Sequence, residues 1–180
     1  MKKHLPIYLY GLIIILVGAF LLFSENSSFQ NIKFTLGISL TAGAVLAFAA
    51  AFARQRHQVQ FAYHQMHALA LLVYGIMLLL FCNSLEQLIE FTAFLFIFYA
   101  FSEIIFCNWL FNLAQKVVIK IIAIRALLGL VIGIGTVVAM NYPDFTLRLY
   151  GVLFILVGVN IIFYVPVMRA SQSVENDKAQ

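Results

Sequence analysis

Long apolar stretches alternate with short polar ones along the whole chain. Each apolar stretch is close to the roughly 20 residues that a helix needs to cross a bilayer, and each polar break contains turn formers or charges. Strands of a membrane barrel would be about 10 residues long with alternating polarity, so the stretches are predicted to be helices. The pattern predicts an all-α integral membrane six-helix bundle with spans at about 5–23, 34–53, 61–82, 88–111, 117–140 and 147–168. The spans form one transmembrane domain over 1–168, followed by a polar tail at 169–180.

Composition excludes a soluble domain and a disordered chain. Hydrophobic residues make up 64% of the 180 residues and charged residues 10%, whereas a soluble domain is roughly 45–50% apolar and about 25% charged. Most of the protein surface is therefore predicted to contact the lipid bilayer. The net charge of +4 does not indicate a nucleic-acid partner, because the basic residues lie in short loops between apolar stretches.

The basic residues also predict the orientation. Segments on the side of the N-terminus carry eight lysines and arginines, and segments on the opposite side carry only Lys33 and Arg148. Lysine and arginine accumulate in cytoplasmic loops, so both termini are predicted to be cytoplasmic. The eight residues are Lys2, Lys3, Arg54, Arg56, Lys116, Lys120, Arg169 and Lys178.

The chain carries an internal repeat. Gly18, Gly75 and Gly133 recur at spacings of 57 and 58 residues, and each is followed by an outer turn and a second helix. The six helices are therefore predicted to be three tandem transmembrane hairpins at about 5–53, 61–111 and 117–168, all in the same orientation. Eight positions before the three glycines stand Tyr10, His67 and Arg125.

Two pairs of segments show a diffuse pattern of glycine and aliphatic residues: YGLIIILVGAFLLF with LTAGAVLAFAAAFARQR, and AIRALLGLVIGIG with YGVLFILVGVNIIF. This pattern resembles the HdeD family of small bacterial membrane proteins, and the resemblance covers most of the chain. It implies six spans built of short repeats in the bacterial cytoplasmic (inner) membrane. It also implies a link to acid resistance through the founding member of the family. Family repeats often carry a proline in the outer turn, and here only Pro143 does so.

Small residues at four-residue spacing indicate a helix-packing seam. Such residues let helix backbones approach closely, and packing drives helix association in lipid. Whether this seam serves the monomer or a homo-oligomer is left open. Its members are Ser39, Gly43, Ala47 and Ala51 on the second helix and Gly129 and Gly133 on the fifth.

An intramembrane polar layer is predicted in the inner leaflet. Glu103 lies eight residues before the inner end of the fourth helix and Arg125 eight residues after that of the fifth. Both are therefore about 12 Å deep at 1.5 Å per residue, and we expect an ion pair within about 4 Å. The complete layer is Glu103, Arg125, Asn160, Tyr99, His67 and Tyr10.

Three interpretations of this layer stay open. The pair can lock the fourth and fifth helices together, which is a structural role. It can belong to a cluster that senses or conducts protons, since buried carboxylates and histidines titrate in useful ranges. Alternatively, Arg125 can extend to the interface without a partner.

No metal site, cofactor or catalytic site is predicted. His57, His64 and His67 lie near one helical face, but no carboxylate or cysteine accompanies them. Cys82 and Cys107 are predicted at opposite membrane depths, too far apart to bridge. Nucleotide-binding and hydrolase motifs are absent from the sequence. The leading hypothesis is therefore a non-enzymatic envelope protein that contributes to acid or envelope stress tolerance. The alternative is a small transporter or channel that uses the layer around Glu103 and Arg125.

Overall fold

The computed structural model describes residues 5–24, 27–52, 58–113, 119–142 and 146–166, with the backbone alone at 50–52, 58–62, 64 and 112–113. Pro143, the tail at 169–180 and most of the basic residues that predict the orientation lie outside these ranges. The described residues contain helices and no strand, which confirms the all-α prediction. The helices are α1 (Leu5–Leu22), α2 (Phe29–Phe52), α3 (Gln58–Phe81), α4 (Leu85–Leu113), α5 (Ile119–Asn141) and α6 (Thr146–Ile162).

Five helical stretches are long and apolar enough to cross a membrane: Leu5–Leu22, Phe29–Ala49, Leu85–Phe111, Ile119–Asn141 and Thr146–Pro166. A sixth apolar stretch, Gln65–Phe81 of α3, is shorter. These lengths and compositions indicate a multi-pass membrane protein.

Capping residues set the starts of α2 and α4. α2 begins at Phe29 instead of the predicted 34, because Ser28 caps it and its Oγ accepts a hydrogen bond from the Asn31 N–H at 3.3 Å. At α4 the Gln87 N–H donates to Ser84 Oγ at 3.2 Å. The Gln87 side chain in turn accepts from the Asn83 N–H at 2.8 Å. These bonds satisfy amide groups that the first turn of a helix leaves without partners.

Contacts between helices form a closed ring in which α1 packs against both α2 and α6. The most extensive contacts are between α1 and α6, α2 and α3, and α4 and α5. Contacts within the predicted hairpins, α1 with α2, α3 with α4 and α5 with α6, are less extensive. Each helix therefore has one close neighbour and one looser neighbour in the ring.

Glycines account for the closest of these contacts. A Cβ added at Gly158 of α6 would lie 2.6 Å from the carbonyl oxygen of Gly11 in α1, and one at Gly151 would lie 2.8 Å from that of Gly18. The first and last helices therefore touch through their backbones, which only residues without side chains allow.

The residues of the predicted packing seam face two different neighbours. Gly43 of α2 faces α1, where an added Cβ would lie 3.5 Å from the Tyr10 ring. Ala47 is fully buried and Ser39 borders a groove between α1 and α2. The side chain of Ala51 lies outside the described residues. On α5, Gly129 and Gly133 face Ala100 of α4, and an added Cβ at Gly133 would lie 3.3 Å from the Ala100 Cβ.

Alanine at Gly158 should destabilise the protein, whereas alanine at Gly43 should not. The Gly158 Cβ would collide with backbone, and overpacking of this kind costs about 1–3 kcal/mol. A Cβ added at Gly43 would lie at ordinary van der Waals distances from its neighbours. Alanine there would also have a higher helix propensity than glycine. Thermal unfolding in detergent, followed by circular dichroism, should give a lower midpoint for Gly158→Ala alone. Equal midpoints for the two variants would contradict the glycine-mediated contact of α1 with α6.

Candidate functional site

A buried ion pair joins α4 to α5. Glu103 and Arg125 have no exposed side-chain surface, and Arg125 Nη2 lies 2.6 Å from Glu103 Oε1. Arg125 Nε donates a second bond to the same oxygen at 2.8 Å. The structure thus brings the two residues together at the separation expected from their equal depth. Gly129 leaves room for the Glu103 side chain, because a Cβ there would lie 3.2 Å from Glu103 Cγ.

Two further donors surround the carboxylate. The Tyr63 hydroxyl of α3 donates to Glu103 Oε2 and accepts from Arg125 Nη2 at 2.9 Å. The Cys107 thiol, one turn after Glu103, donates to Oε1 at 3.3 Å. Glu103 is therefore bonded from α3, α4 and α5 at once, and such hydrogen bonds are what a buried charge requires.

Aromatic rings enclose the guanidinium group. Arg125 Cζ lies 4.8 Å from the ring centroid of Tyr164 and 5.8 Å from those of Tyr63 and Phe106. These distances are within the range of cation–π attraction. Tyr63 also stacks on Phe106 with 3.9 Å between centroids. Arg125 Nη1 is buried without a hydrogen-bond partner in the part of the chain that the structure describes.

A second polar group adjoins the pair through ring contacts. The His67 ring centroid lies 4.2 Å from that of Tyr63 and 4.9 Å from that of Tyr99. His67 Nε2 is 3.2 Å from Ser102 Oγ. The Ser102 hydroxyl is also 2.9 Å from the Tyr99 carbonyl oxygen, to which it donates. Asn160 of α6 donates to the Tyr99 hydroxyl at 2.9 Å.

A small cavity lies beside this group. Its volume is about 20 Å³, and Tyr10, His67 and Tyr99 are its polar lining residues. The volume is large enough for one water molecule, but the surface that faces the cavity is apolar, and an apolar cavity stays dry. Neither Glu103 nor Arg125 is among the described residues that line this cavity. All six residues of the predicted polar layer are buried, but they divide into the ion pair and the group around the cavity.

Several polar contacts were missed in the sequence pattern. The predicted polar layer does not include Tyr63, although Tyr63 lies one turn before His67 just as Tyr99 lies one turn before Glu103. The sequence pattern also gives no sign that the Cys107 thiol donates a hydrogen bond to the Glu103 carboxylate. Lys33, which enters the sequence prediction only through the charge count, is 8% exposed, and its Nζ donates to the Cys82 carbonyl at 2.7 Å. It thereby binds the C-terminal end of α3, where a cation is favoured.

The histidine face predicted at the start of α3 is only partly described. His57 and the side chain of His64 lie outside the described residues, and His67 bonds Ser102 instead. Within the described ranges, no group of three or more histidine, cysteine, aspartate or glutamate residues is placed to hold a metal ion.

Comparisons with known proteins add no assignment. No family model, curated protein or solved structure matches the chain. The chemistry of the site therefore has to be argued from its own geometry. An enclosed ion pair can hold helices together, and both oxygens of its carboxylate already accept hydrogen bonds from protein groups.

Removing one partner of the pair should harm the protein more than removing both. Glu103→Gln and Arg125→Gln should each destabilise it by about 3–5 kcal/mol, because each leaves an uncompensated buried charge. The double variant should recover part of the loss. The free energy of unfolding in detergent provides the measurement. Glu90→Gln, which makes the same change at an exposed position of α4, is the control and should have little effect. Two single losses that simply add would mean that the residues are energetically independent.

Proposed function

We propose that the chain is a six-span, non-enzymatic protein of the bacterial cytoplasmic membrane with both termini in the cytoplasm. Its spans form three tandem hairpins at about 5–53, 61–111 and 117–168. The glycine contacts support the repeat. Gly18 packs on α6 and Gly75 on α2, while Gly133 packs on α4, so each repeat glycine lies against the second helix of the preceding hairpin in the ring.

Its role, in this proposal, is to contribute to tolerance of acid or envelope stress, as the HdeD-like sequence pattern suggests. The observation that carries the proposal is the complete burial of Glu103 and Arg125. In the proposed orientation this pair lies in the inner half of the membrane, away from an acidified exterior. Glu86 and Glu90, by contrast, are exposed near the outer end of α4. Their protonation costs the bundle little, since exposed charges contribute little to stability.

A deletion strain tests this role. It should survive low external pH less well than its parent, and the wild-type chain should restore survival. Glu90→Gln should restore it equally, whereas Glu103→Gln should restore it less, with immunoblots of the membrane fraction showing how much protein is present. Normal survival of the deletion strain at low pH and under other envelope stresses would remove the stress role.

One observation favours the alternative of a transporter or channel. Polar contacts between α3 and α4 continue toward the outer half, where the Tyr74 hydroxyl lies 2.6 Å from Thr92 Oγ1. The 20 Å³ cavity and the surrounding apolar residues leave no continuous path among the described residues. Liposomes containing the protein should therefore pass protons no faster than empty liposomes. A flux that Glu103→Gln abolishes would replace the first proposal with this one.

A further inference from the structure

The interface between α3 and α4 is held differently from the close contacts of the ring. Hydrogen bonds join the two helices at three levels of the described side chains: Tyr63 with Glu103, His67 with Ser102, and Tyr74 with Thr92. α4 contains no glycine, and the glycine of α3, Gly75, faces α2. Side chains therefore hold the two helices apart, and the interface is open where it reaches the surface of the bundle.

The opening forms a groove of about 700 Å³. That volume is within the roughly 300–1,000 Å³ of small-molecule sites. Its lining is apolar apart from the Tyr74 hydroxyl, with no charged or amide side chain among the described residues. The groove opens to the surface along exposed residues such as Phe94 and Val73, which are 72% and 52% exposed. Met66, Val73 and Met77 line it from α3, and Phe91, Phe94 and Phe98 from α4.

The size and chemistry of the groove indicate its occupant. Ten residues line it, whereas a stable protein interface uses about 20–30 residues on each side, so a second copy of the chain is not favoured. A charged lipid headgroup would find no partner in this lining. A flexible hydrocarbon chain fits, because methionine side chains adapt to irregular apolar shapes and the groove lies along membrane-spanning helices.

We propose that the groove between α3 and α4 binds one hydrocarbon chain of a membrane lipid as a resident ligand. The proposal rests on the membrane insertion stated under the proposed function, but not on the stress role. The bound hydrocarbon chain would also cover the buried side chains of His67 and Tyr99. Ala70, Leu95 and Phe98 line both the groove and the small cavity beside these two residues. These three residues are the wall between the lipid phase and the buried imidazole.

Tryptophan reporters on α4 test the proposal. Trp109 is the only tryptophan of the chain, so Trp109→Phe removes the background. Phe94→Trp places a reporter in the groove, and Phe101→Trp places one on the same helix at a position that is 66% exposed and does not line the groove. The full-length variants, purified in a rigid bile-salt detergent, are titrated with phosphatidylcholine whose acyl chains carry bromine, a quencher of tryptophan fluorescence.

The reporter in the groove should reach half of its maximal quenching at a several-fold lower ratio of lipid to detergent than the control. Equal half-points would overturn the proposal, because the groove would then bind lipid no better than the open surface. Weaker quenching at position 94 would also overturn it, since protein rather than lipid would cover the groove.

A variant that fills the groove provides the matched control. Val73→Phe in the Phe94→Trp background should raise the half-point to that of the open surface. Val137→Phe, at a position on α5 that is 55% exposed, should leave it unchanged. Leu69→Phe replaces Val73→Phe if circular dichroism shows that the latter is misfolded. If a folded variant with a filled groove leaves the half-point of the reporter at position 94 unchanged, the proposal is overturned. That result would say nothing against the stress role, which the survival experiment in cells tests separately.

Discussion

An arginine and a glutamate without exposed surface can stay in a membrane-spanning region only if each satisfies the other. A single charged side chain near the middle of a membrane helix costs about 2.5–3.5 kcal/mol on insertion scales. The Glu103–Arg125 pair therefore constrains its surroundings. Gly129 lets α5 approach α4, Tyr63 bonds both charges from α3, and Tyr164 places its ring over the guanidinium. The relative rotations of α3, α4 and α5 follow from these contacts.

The ring combines two kinds of helix contact, and each has a different consequence. In lipid there is no hydrophobic force that drives helices together, so packing and hydrogen bonds have to do so. Backbone contact through glycine gives the closest interfaces, such as that of Gly11 with Gly158. The interface of α3 with α4 depends instead on side-chain hydrogen bonds, which leave space beside them. That space explains why a groove lies between α3 and α4, next to the cavity beside His67 and Tyr99.

Hydropathy alone was enough to predict the helices. The short connection between α4 and α5 predicted equal depth for Glu103 and Arg125, and the cost of an unpaired charge in lipid predicted that they meet. Depth follows from distance along the chain, but the rotation of a helix does not, which is why Tyr63 and Cys107 were missed. The start of α2 was misplaced because Ser28 caps the helix outside the apolar stretch. The contact of α1 with α6 joins segments far apart in sequence, and no local pattern indicates which glycines meet.

The charge state of Glu103 tests the central claim most directly, because the whole arrangement requires an ionised carboxylate facing a guanidinium. Infrared difference spectroscopy of the wild-type chain against Glu103→Gln, in lipid vesicles at neutral pH, isolates the absorption of this single side chain. The ion pair predicts that the variant loses a band of an ionised carboxylate. Loss of the carbonyl band of a protonated carboxylic acid would contradict it, since a neutral Glu103 would leave Arg125 as an uncompensated charge.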